Sequence, residues 1–167
     1  MSASKELIDR YAAGGPLLLY AVSGIAPEQE KAPPGPGAGA WTLAQLVTHL
    51  LDADLVLADR MKRVIAEDEP VLVAFDENAW IDRLGANAMS IEEAANLFVA
   101  NRRWIAQILR RCTEADFARA GNHTEAGRKT LAELVTTSTN HLDHHLRFLY
   151  AKRANLGIAV QPRYGRE

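Results

Sequence analysis

The stretch LAELVTTSTNHLDHHLRFLYAKR, residues 131–153, carries the strongest structural signal in the chain. Apolar residues recur through it at three- and four-residue spacing, which is typical of an amphipathic helix with one side in a core. Thr130 and Glu133, at its beginning, match the pattern of a capping box, in which two side chains satisfy otherwise unpaired backbone N–H groups. The sequence therefore predicts a long helix from Leu131 to about Arg153.

Two further capping boxes stand before apolar runs, at Thr42 with Gln45 and at Ser90 with Glu93. The other predicted helices run from about Ser4 to Ser23, from Leu43 to about Ala66, and from about Ile91 to Arg111. We expect residues 14–16, Gly-Gly-Pro, to kink or split the first of them. Strand signals are nearly absent. The pattern predicts an all-α fold, a four-helix bundle.

The length and composition indicate one globular domain. The chain has 167 residues, of which 48% are hydrophobic and 24% are charged, so a single core is expected. We predict that the whole chain, 1–167, is one helical-bundle domain with its core between about residues 4 and 153 and an irregular C-terminal tail. The formal net charge is -2 and no basic stripe is visible, which argues against nucleic-acid binding.

The single cysteine, Cys112, excludes a disulfide within the chain and favours a reducing compartment. Charged residues come before the first apolar run at the N-terminus, so no signal-peptide pattern is present. The apolar stretch 17–25 is too short to span a bilayer. We therefore predict a cytoplasmic protein that does not interact with membranes.

Histidines on two predicted helices form a candidate metal site. His141 and His145 are four residues apart, so they lie on the same side of the fourth helix, one turn apart. His144 is three residues from His141 and could replace His145 by spacing alone. His49 lies beside the apolar stripe of the second helix. Three histidines and an open position are the arrangement of catalytic zinc.

Several polar residues near these histidines have open roles. Asp52 follows His49 by three residues and could orient a ligand imidazole. His123 precedes the fourth helix and could act as a general base or substrate contact, or could cap a turn. We expect Asp54 to be a surface charge. Arg102 is expected at the surface too, unless it faces an anionic substrate.

Four groups of residues make the chain resemble a known family. They are Gly39-Ala40-Trp41-Thr42 leading to His49-Leu50 and Asp52; Phe75-Asp76 and Trp80; His123 to Gly127 leading to Thr130-Leu131 and Glu133-Leu134; and the run from His141 to Leu146. In these positions the chain resembles the DinB/YfiT-like superfamily of metal-dependent hydrolases and thiol S-transferases. The resemblance covers residues from about 40 to 150.

The resemblance implies a bundle with up-down-down-up connectivity, often as a homodimer. It also implies a divalent metal, commonly zinc or nickel, held by His49, His141 and His145, and so selects His145 over His144. Relatives include thiol S-transferases that use bacillithiol or mycothiol, and a mycothiol-dependent maleylpyruvate isomerase. The family often has a glutamate where Asp54 stands, which leaves the role of this shorter acid open.

Two reactions fit such a site on a small-molecule substrate. A metal on three neutral imidazoles favours hydrolysis through an acidified water, or thiol transfer through a bound thiolate. The chain has no well-placed cysteine, so a thiol would come from a low-molecular-weight cosubstrate. The alternative is a non-catalytic metal or small-ligand binding protein, with His144 or His123 as a fourth ligand.

Overall fold

Four long helices dominate the structure, a computed structural model that describes residues 3–165. The long helices are α1 (Ala3–Val22), α3 (Leu43–Ala66), α5 (Ile91–Leu109) and α7 (Leu131–Asn155). Three short helices lie in the connections: α2 (Pro27–Glu30), α4 (Glu77–Arg83) and α6 (Glu114–Ala118). A 3₁₀ turn spans Ala86–Ala88. The predicted helices agree with the long ones to within two residues at each end, except that α1 continues through Pro16 without being split.

The capping residues explain where the helices begin. At α3 and α7 both hydrogen bonds of the capping box form, between Thr42 and Gln45 and between Thr130 and Glu133. At α5, the Ser90 side chain accepts a hydrogen bond from the Glu93 backbone N–H. These bonds satisfy donors that the first turn of a helix leaves unpaired, so the beginnings of α3, α5 and α7 follow from local sequence.

The direction of each helix follows from two separate apolar clusters in the core. The first cluster contains the end of α1, the beginnings of α3 and α5, and the second half of α7. The second contains the beginning of α1, the ends of α3 and α5, and the beginning of α7. Thus α1 and α7 run in one direction and α3 and α5 in the other. This up-down-down-up connectivity confirms the predicted four-helix bundle.

A small sheet accompanies the bundle and was not predicted. Strand β1 (Val71–Leu72) pairs in parallel with β2 (Ala120–His123), which pairs in antiparallel with β3 (Gly127–Thr130). The strands have only two to four residues, too few to show an alternating apolar pattern. The fold is therefore mostly helical rather than purely so.

A layer of polar groups separates the two apolar clusters. All four long helices contribute to this level, with Gly14 from α1, Asp54 from α3, Arg102 from α5 and Ser138 from α7 among the residues that meet there. The Arg102 guanidinium donates from Nε to the Asp54 Oδ1 atom at 2.9 Å and from Nη2 to the Ser138 hydroxyl at 2.9 Å. A Cβ atom on Gly14 would lie 2.0 Å from the Arg102 Nη1 atom, so the glycine leaves the space that the guanidinium fills.

The positions of Asp54 and Arg102 correct the sequence-based expectation for both. Each was expected at the surface, yet each side chain is only 2% exposed. The expectation was wrong because it considered each charge alone. A buried charge becomes tolerable when an opposite charge and hydrogen bonds compensate it, and here the two residues compensate each other across two helices.

The segment after α7 has no regular structure and lies against α1 and α7. The Tyr20 hydroxyl donates to the Gln161 carbonyl oxygen at 3.0 Å, and the Tyr150 hydroxyl donates to that of Arg163 at 3.1 Å. No helix within residues 3–165 is both long and apolar enough to cross a membrane.

Candidate metal centre

Three histidine side chains meet where α3 and α7 pack against each other. The Nε2 atom of His49 lies 3.1 Å from that of His141 and 3.2 Å from that of His145. The Nε2 atoms of His141 and His145 lie 3.1 Å apart. The predicted one-turn spacing on α7 thus presents two imidazoles to one point, and the antiparallel α3 brings the third to it.

These three contacts cannot all be hydrogen bonds between neutral rings. Each Nε2 atom of a neutral imidazole either carries a hydrogen or offers a lone pair. In a triangle of three such atoms, at least one pair must be two donors or two acceptors. A cation facing three lone pairs removes this conflict, so the chemistry of the donor set fits a metal ion.

The spacing also fits a metal ion. Three nitrogen ligands at about 2.0–2.1 Å from one tetrahedral zinc lie about 3.3–3.4 Å apart. The observed separations of 3.1, 3.2 and 3.1 Å are close to this value. Among the residues that the structure describes, His49, His141 and His145 are the one group of three or more potential ligands whose donor atoms converge.

Burial keeps all three imidazoles neutral. Burial and then the nearby His145 lower the pKa of His49 to about 4. Burial, followed by His49, lowers the pKa of His141 to about 3, and burial, followed by His141, lowers that of His145 to about 3. At neutral pH the three rings therefore have lone pairs available for a divalent cation.

His144 does not join this group. Its ring packs edge-on against that of His145, with centroids 5.0 Å apart, and its side chain is exposed. Helical spacing left the choice between His144 and His145 open. In the structure the His145 ring faces α3 and the His144 ring does not. His144 lies about 60° further around the helix from His141, toward solvent.

Trp41 forms one wall of the histidine cluster. Its ring centroid lies 4.7 Å from that of His49, and its ring stacks on His145 at 6.2 Å with an interplanar angle of 19°. The capping box at Thr42 fixes the entry of the chain into α3 and so holds the tryptophan directly before it. Trp80 instead packs on Phe75, with centroids 4.7 Å apart.

Glu77 is a residue of the centre that the sequence analysis missed. Its Oε2 atom lies 3.9 Å from the His49 Nε2 atom. Because the low pKa of His49 makes this ring neutral, the contact is not an ion pair. The carboxylate is 47% exposed, so this side of the cluster is open to solvent. Burial, followed by the neighbouring Asp76, raises the pKa of Glu77, which makes it a stronger proton acceptor.

A capping signal could have located Glu77. Asp76 is the N-cap of α4, and its side chain accepts a hydrogen bond from the Ala79 backbone N–H. This places Glu77 as the first residue of the helix. The sequence alone does not show that α4 lies beside the beginning of α3, because a tertiary contact decides this.

Asp52 and His123 were expected to support the centre, and the structure gives the surroundings of each. Asp52 is half-buried on α3, burial raises its pKa, and it makes no hydrogen bond to a histidine within residues 3–165. His123 ends β2, and its Nδ1 atom accepts hydrogen bonds from the Glu125 and Ala126 backbone N–H groups. It caps a turn, and burial, followed by the charge of nearby Arg60, lowers its pKa. Arg60 lies about three helical turns beyond His49 on α3.

Cys112 also lies away from the histidines. It follows α5, its Sγ atom donates to the Ile108 carbonyl oxygen at 3.6 Å, and it packs against the second apolar cluster. Burial raises the pKa of its thiol, so the residue is less reactive than an ordinary cysteine.

Comparisons with known proteins show what this chain is similar to. The chain is 34% identical over 143 residues to a protein of Geobacillus thermodenitrificans named "Putative metal-dependent hydrolase", covering 84% of this chain and 78% of that one. It is 31% identical over 109 residues to a protein of the same description from Oceanobacillus iheyensis, covering 65% of this chain and 62% of that protein. The second match therefore spans less than two thirds of the relative.

Two solved structures share the fold. The first is YfiT from Bacillus subtilis, described as a probable metal-dependent hydrolase with an unusual four-helix bundle topology. It has a TM-score of 0.84 and 22% identity, covering 94% of this chain and 90% of that one. The second is a histidine-to-alanine mutant of a mycothiol-dependent maleylpyruvate isomerase, with a TM-score of 0.66 and 14% identity, covering 95% of this chain and 62% of that one.

A family model settles the relationship that these likenesses indicate. The model described as the DinB superfamily matches residues 11–149, a range that includes all three histidines and most of each long helix. This chain belongs to the DinB superfamily.

Proposed function

We propose that this protein is a metal-dependent hydrolase acting on a small molecule. The observation that carries the proposal is the convergence of three neutral Nε2 atoms, His49, His141 and His145, at 3.1–3.2 Å. When bound there, a divalent ion such as zinc or nickel supplies Lewis-acid chemistry, polarising a carbonyl and making a water or thiol acidic enough to lose its proton near neutral pH. The names of the relatives support the same reaction class.

Glu77 is proposed as the proton acceptor. Hydrolysis needs a group that removes a proton from the attacking water, and a carboxylate with a raised pKa suits this role near neutral pH. Glu77 is the acidic side chain that approaches a histidine Nε2 atom, at 3.9 Å from His49. Because the Glu77 side chain is partly exposed, a substrate can reach its carboxylate from solvent.

Thiol S-transfer is the second candidate reaction. The fold likeness to a mycothiol-dependent isomerase supports it. Because Cys112 packs in the other half of the bundle, the thiol would be a low-molecular-weight cosubstrate. In this reaction Glu77 would accept the thiol proton and the sulfur would form a bond to an electrophilic carbon of the second substrate. The bond from that carbon to its leaving group would break, and the leaving group would depart with the bonding electron pair.

A screen of metal-loaded protein tests both reactions. Zinc- and nickel-loaded samples are offered a panel of esters and amides, and a parallel panel of electrophiles with bacillithiol or mycothiol. We expect turnover in the first panel, lost in His145→Ala and retained in His144→Ala, which changes the adjacent exposed histidine. Turnover in the second panel alone would replace hydrolysis by thiol transfer.

The screen also distinguishes catalysis from simple binding. A non-catalytic metal or ligand binding protein would turn over neither panel. The visible spectrum of its cobalt-substituted form would not respond to added thiols or anions, because protein groups would fill the coordination positions. That combined result would overturn the proposed enzyme.

A further inference from the structure

Lys152 is a buried cation near the histidine centre, and its charge has no protein partner among the described residues. Its side chain is 2% exposed, and its Nζ atom donates a hydrogen bond to the Ala38 carbonyl oxygen. No acidic side chain within residues 3–165 forms an ion pair with it. Lysine is almost never fully buried unless its charge is compensated. This ammonium group therefore calls for an anion that residues 3–165 do not provide.

The same side of α7 carries Lys152 and the histidines. His141, His145, Phe148 and Lys152 are spaced by four, three and four residues, which places them along one stripe of the helix. Lys152 lies seven residues after His145, about 10 Å along the helix axis. One stripe thus presents two metal-ligand candidates, an aromatic ring and an ammonium group in that order.

A cavity of about 300 Å³ connects these groups. Its main lining residues are Trp41, Leu46, Asn78, His145, Phe148 and Lys152. The volume is at the lower end of the range for small-molecule sites, and a mostly apolar lining with a few polar groups is typical of them. The cavity is distinct from the polar layer of Asp54 and Arg102, which lies on the other side of the histidines.

The chain before α3 closes the Lys152 end of this cavity. Gly39 has a φ of 75°, a left-handed conformation that favours glycine. A Cβ atom there would lie 3.6 Å from the Phe148 ring and 3.9 Å from the Lys152 Nζ atom. The backbone at residues 38–40 therefore passes close to the stripe, which limits how far a ligand can extend beyond the lysine.

We propose that this cavity binds an elongated apolar carboxylate, with its carboxylate on Lys152 and its reactive group at the three histidines. The inference rests on the proposed function for the identity of the reacting end, but the anion site does not depend on it. Trp41 and Phe148 contact the apolar body of the ligand. The ligand carboxylate supplies the missing counter-charge for the Lys152 ammonium group. The distance between Lys152 and His145 sets the length of the substrate that fits.

A bound anion would change the pKa of Lys152. Burial lowers the pKa of this lysine below its ordinary value, and no neighbouring charge is among the causes of the shift. A bound carboxylate favours the charged ammonium form and opposes the effect of burial.

Calorimetry with two probes that differ only in charge tests the site. Zinc-loaded full-length protein is titrated with 4-phenylbutanoate and with the uncharged 4-phenylbutanamide. We expect the carboxylate to bind at least about tenfold more tightly than the amide. Hydrogen bonds to charged groups contribute more free energy than neutral ones, and the difference corresponds to about this ratio of affinities. Equal affinity of the two probes for the unmodified protein would overturn the proposal without any variant.

Variants then assign the preference to Lys152. Lys152→Met keeps the apolar stem, and Lys152→Gln keeps a donor for the Ala38 carbonyl; both should bind the two probes equally. Lys62→Met, an exposed lysine on α3, should retain the preference. A preference that survives both Lys152 variants would mean that the carboxylate binds the metal instead, and would overturn the proposal.

Metal analysis of the same samples separates this inference from the proposed function. Lys152 variants should retain the metal content of the unmodified protein. If the protein prefers the carboxylate through Lys152 but turns over no ester, amide or electrophile, the anion site stands and the proposed enzyme fails. If the protein is an active enzyme but binds the carboxylate and the amide equally, the proposed function stands and the anion site fails.

Discussion

The Nε atom of Arg102 donates a hydrogen bond of 2.9 Å to Asp54 Oδ1 in the centre of the bundle, where both side chains are 2% exposed. The same guanidinium donates to the Tyr11 carbonyl oxygen on α1 and to Ser138 on α7. One residue of α5 thus contacts all three other long helices. Ser138 lies three residues before His141, so this network fixes the part of α7 that presents the histidines.

Breaking the buried ion pair should destabilise the fold. Arg102→Met leaves the Asp54 carboxylate buried without a counter-charge, which costs about 3–5 kcal/mol in comparable pairs. Urea denaturation should show this loss in the free energy of unfolding. The double variant Arg102→Met with Asp54→Leu should recover a large part of it, because no uncompensated charge remains. Arg103→Met, at the exposed neighbour, serves as the control, and an equal loss there would contradict the role of the pair.

Two adjacent glycines of α1 should respond in opposite ways to alanine. A Cβ atom at Gly14 would lie 2.0 Å from the Arg102 guanidinium, so Gly14→Ala should cost about 1–3 kcal/mol of stability. At Gly15 the nearest atom is 3.4 Å away, on Val99, so Gly15→Ala should be neutral or gain up to about 1 kcal/mol. Thermal unfolding of the two variants checks the difference, and a stabilising Gly14→Ala would refute the steric argument.

Metal content should depend on the three converging histidines and not on their neighbour. The purified protein should carry about one divalent ion per chain, and His141→Ala should lose it, because two imidazoles hold a metal far less well than three. His144→Ala, on the same helix, should retain the ion, since its ring lies outside the cluster. Elemental analysis of dialysed samples measures this. Stoichiometric metal in a triple His49, His141 and His145 alanine variant would rule out the site.

Glu77→Gln should separate metal binding from turnover. The glutamine keeps the size of the side chain but cannot accept a proton, so kcat should fall by about 10²–10⁴ with metal content unchanged. Asp82→Asn, at an exposed acid of the same helix, should leave kcat as it is. If Glu77→Gln instead lost the metal, the carboxylate would be a ligand rather than a base.

Acid should destabilise the metal-free protein in a defined range. The folded-state pKa of His49 is about 4 and those of His141 and His145 are about 3, all below the ordinary value of 6.5. The unfolded chain therefore binds more protons below pH 6.5, so stability is fully present above that pH and falls as the pH drops toward 4. Urea midpoints in a chelating buffer between pH 4 and 8 measure the effect. His144→Ala should keep the slope, and a flat profile would contradict neutral buried imidazoles.

Local sequence was sufficient to predict the long helices and to place His141 on the core side of α7, but it left His144 and His145 as alternatives for the second histidine of that helix. The capping boxes at Thr42 and Thr130 each involve only four consecutive residues. The one-turn spacing of His141 and His145 follows from helical geometry. The sheet was missed because its strands are too short to show a pattern. The homodimer implied by the family resemblance stays a prediction.

The roles of Asp54, Arg102 and Glu77 required the tertiary structure. Asp54 and Arg102 are charged residues that look solvent-exposed individually, and only their pairing across helices explains their burial. Glu77 belongs to a short helix whose position beside His49 depends on packing between distant segments. His123 matched the family pattern in sequence, and the fold shows that its ring caps a turn through two backbone hydrogen bonds.

The sequence by itself determined where α3, α5 and α7 begin, which apolar residues of the long helices face the core, and that His141 and His145 lie on one side of α7. These properties depend on interactions within a few residues, namely the capping of backbone N–H groups and the 3.6-residue repeat of side chains around a helix. The tertiary structure decided that His49 meets His145 rather than His144, that Glu77 approaches the centre, and that Lys152 shares a cavity with it. Such contacts join residues distant in the chain, because burying the apolar stripes sets how the helices pack.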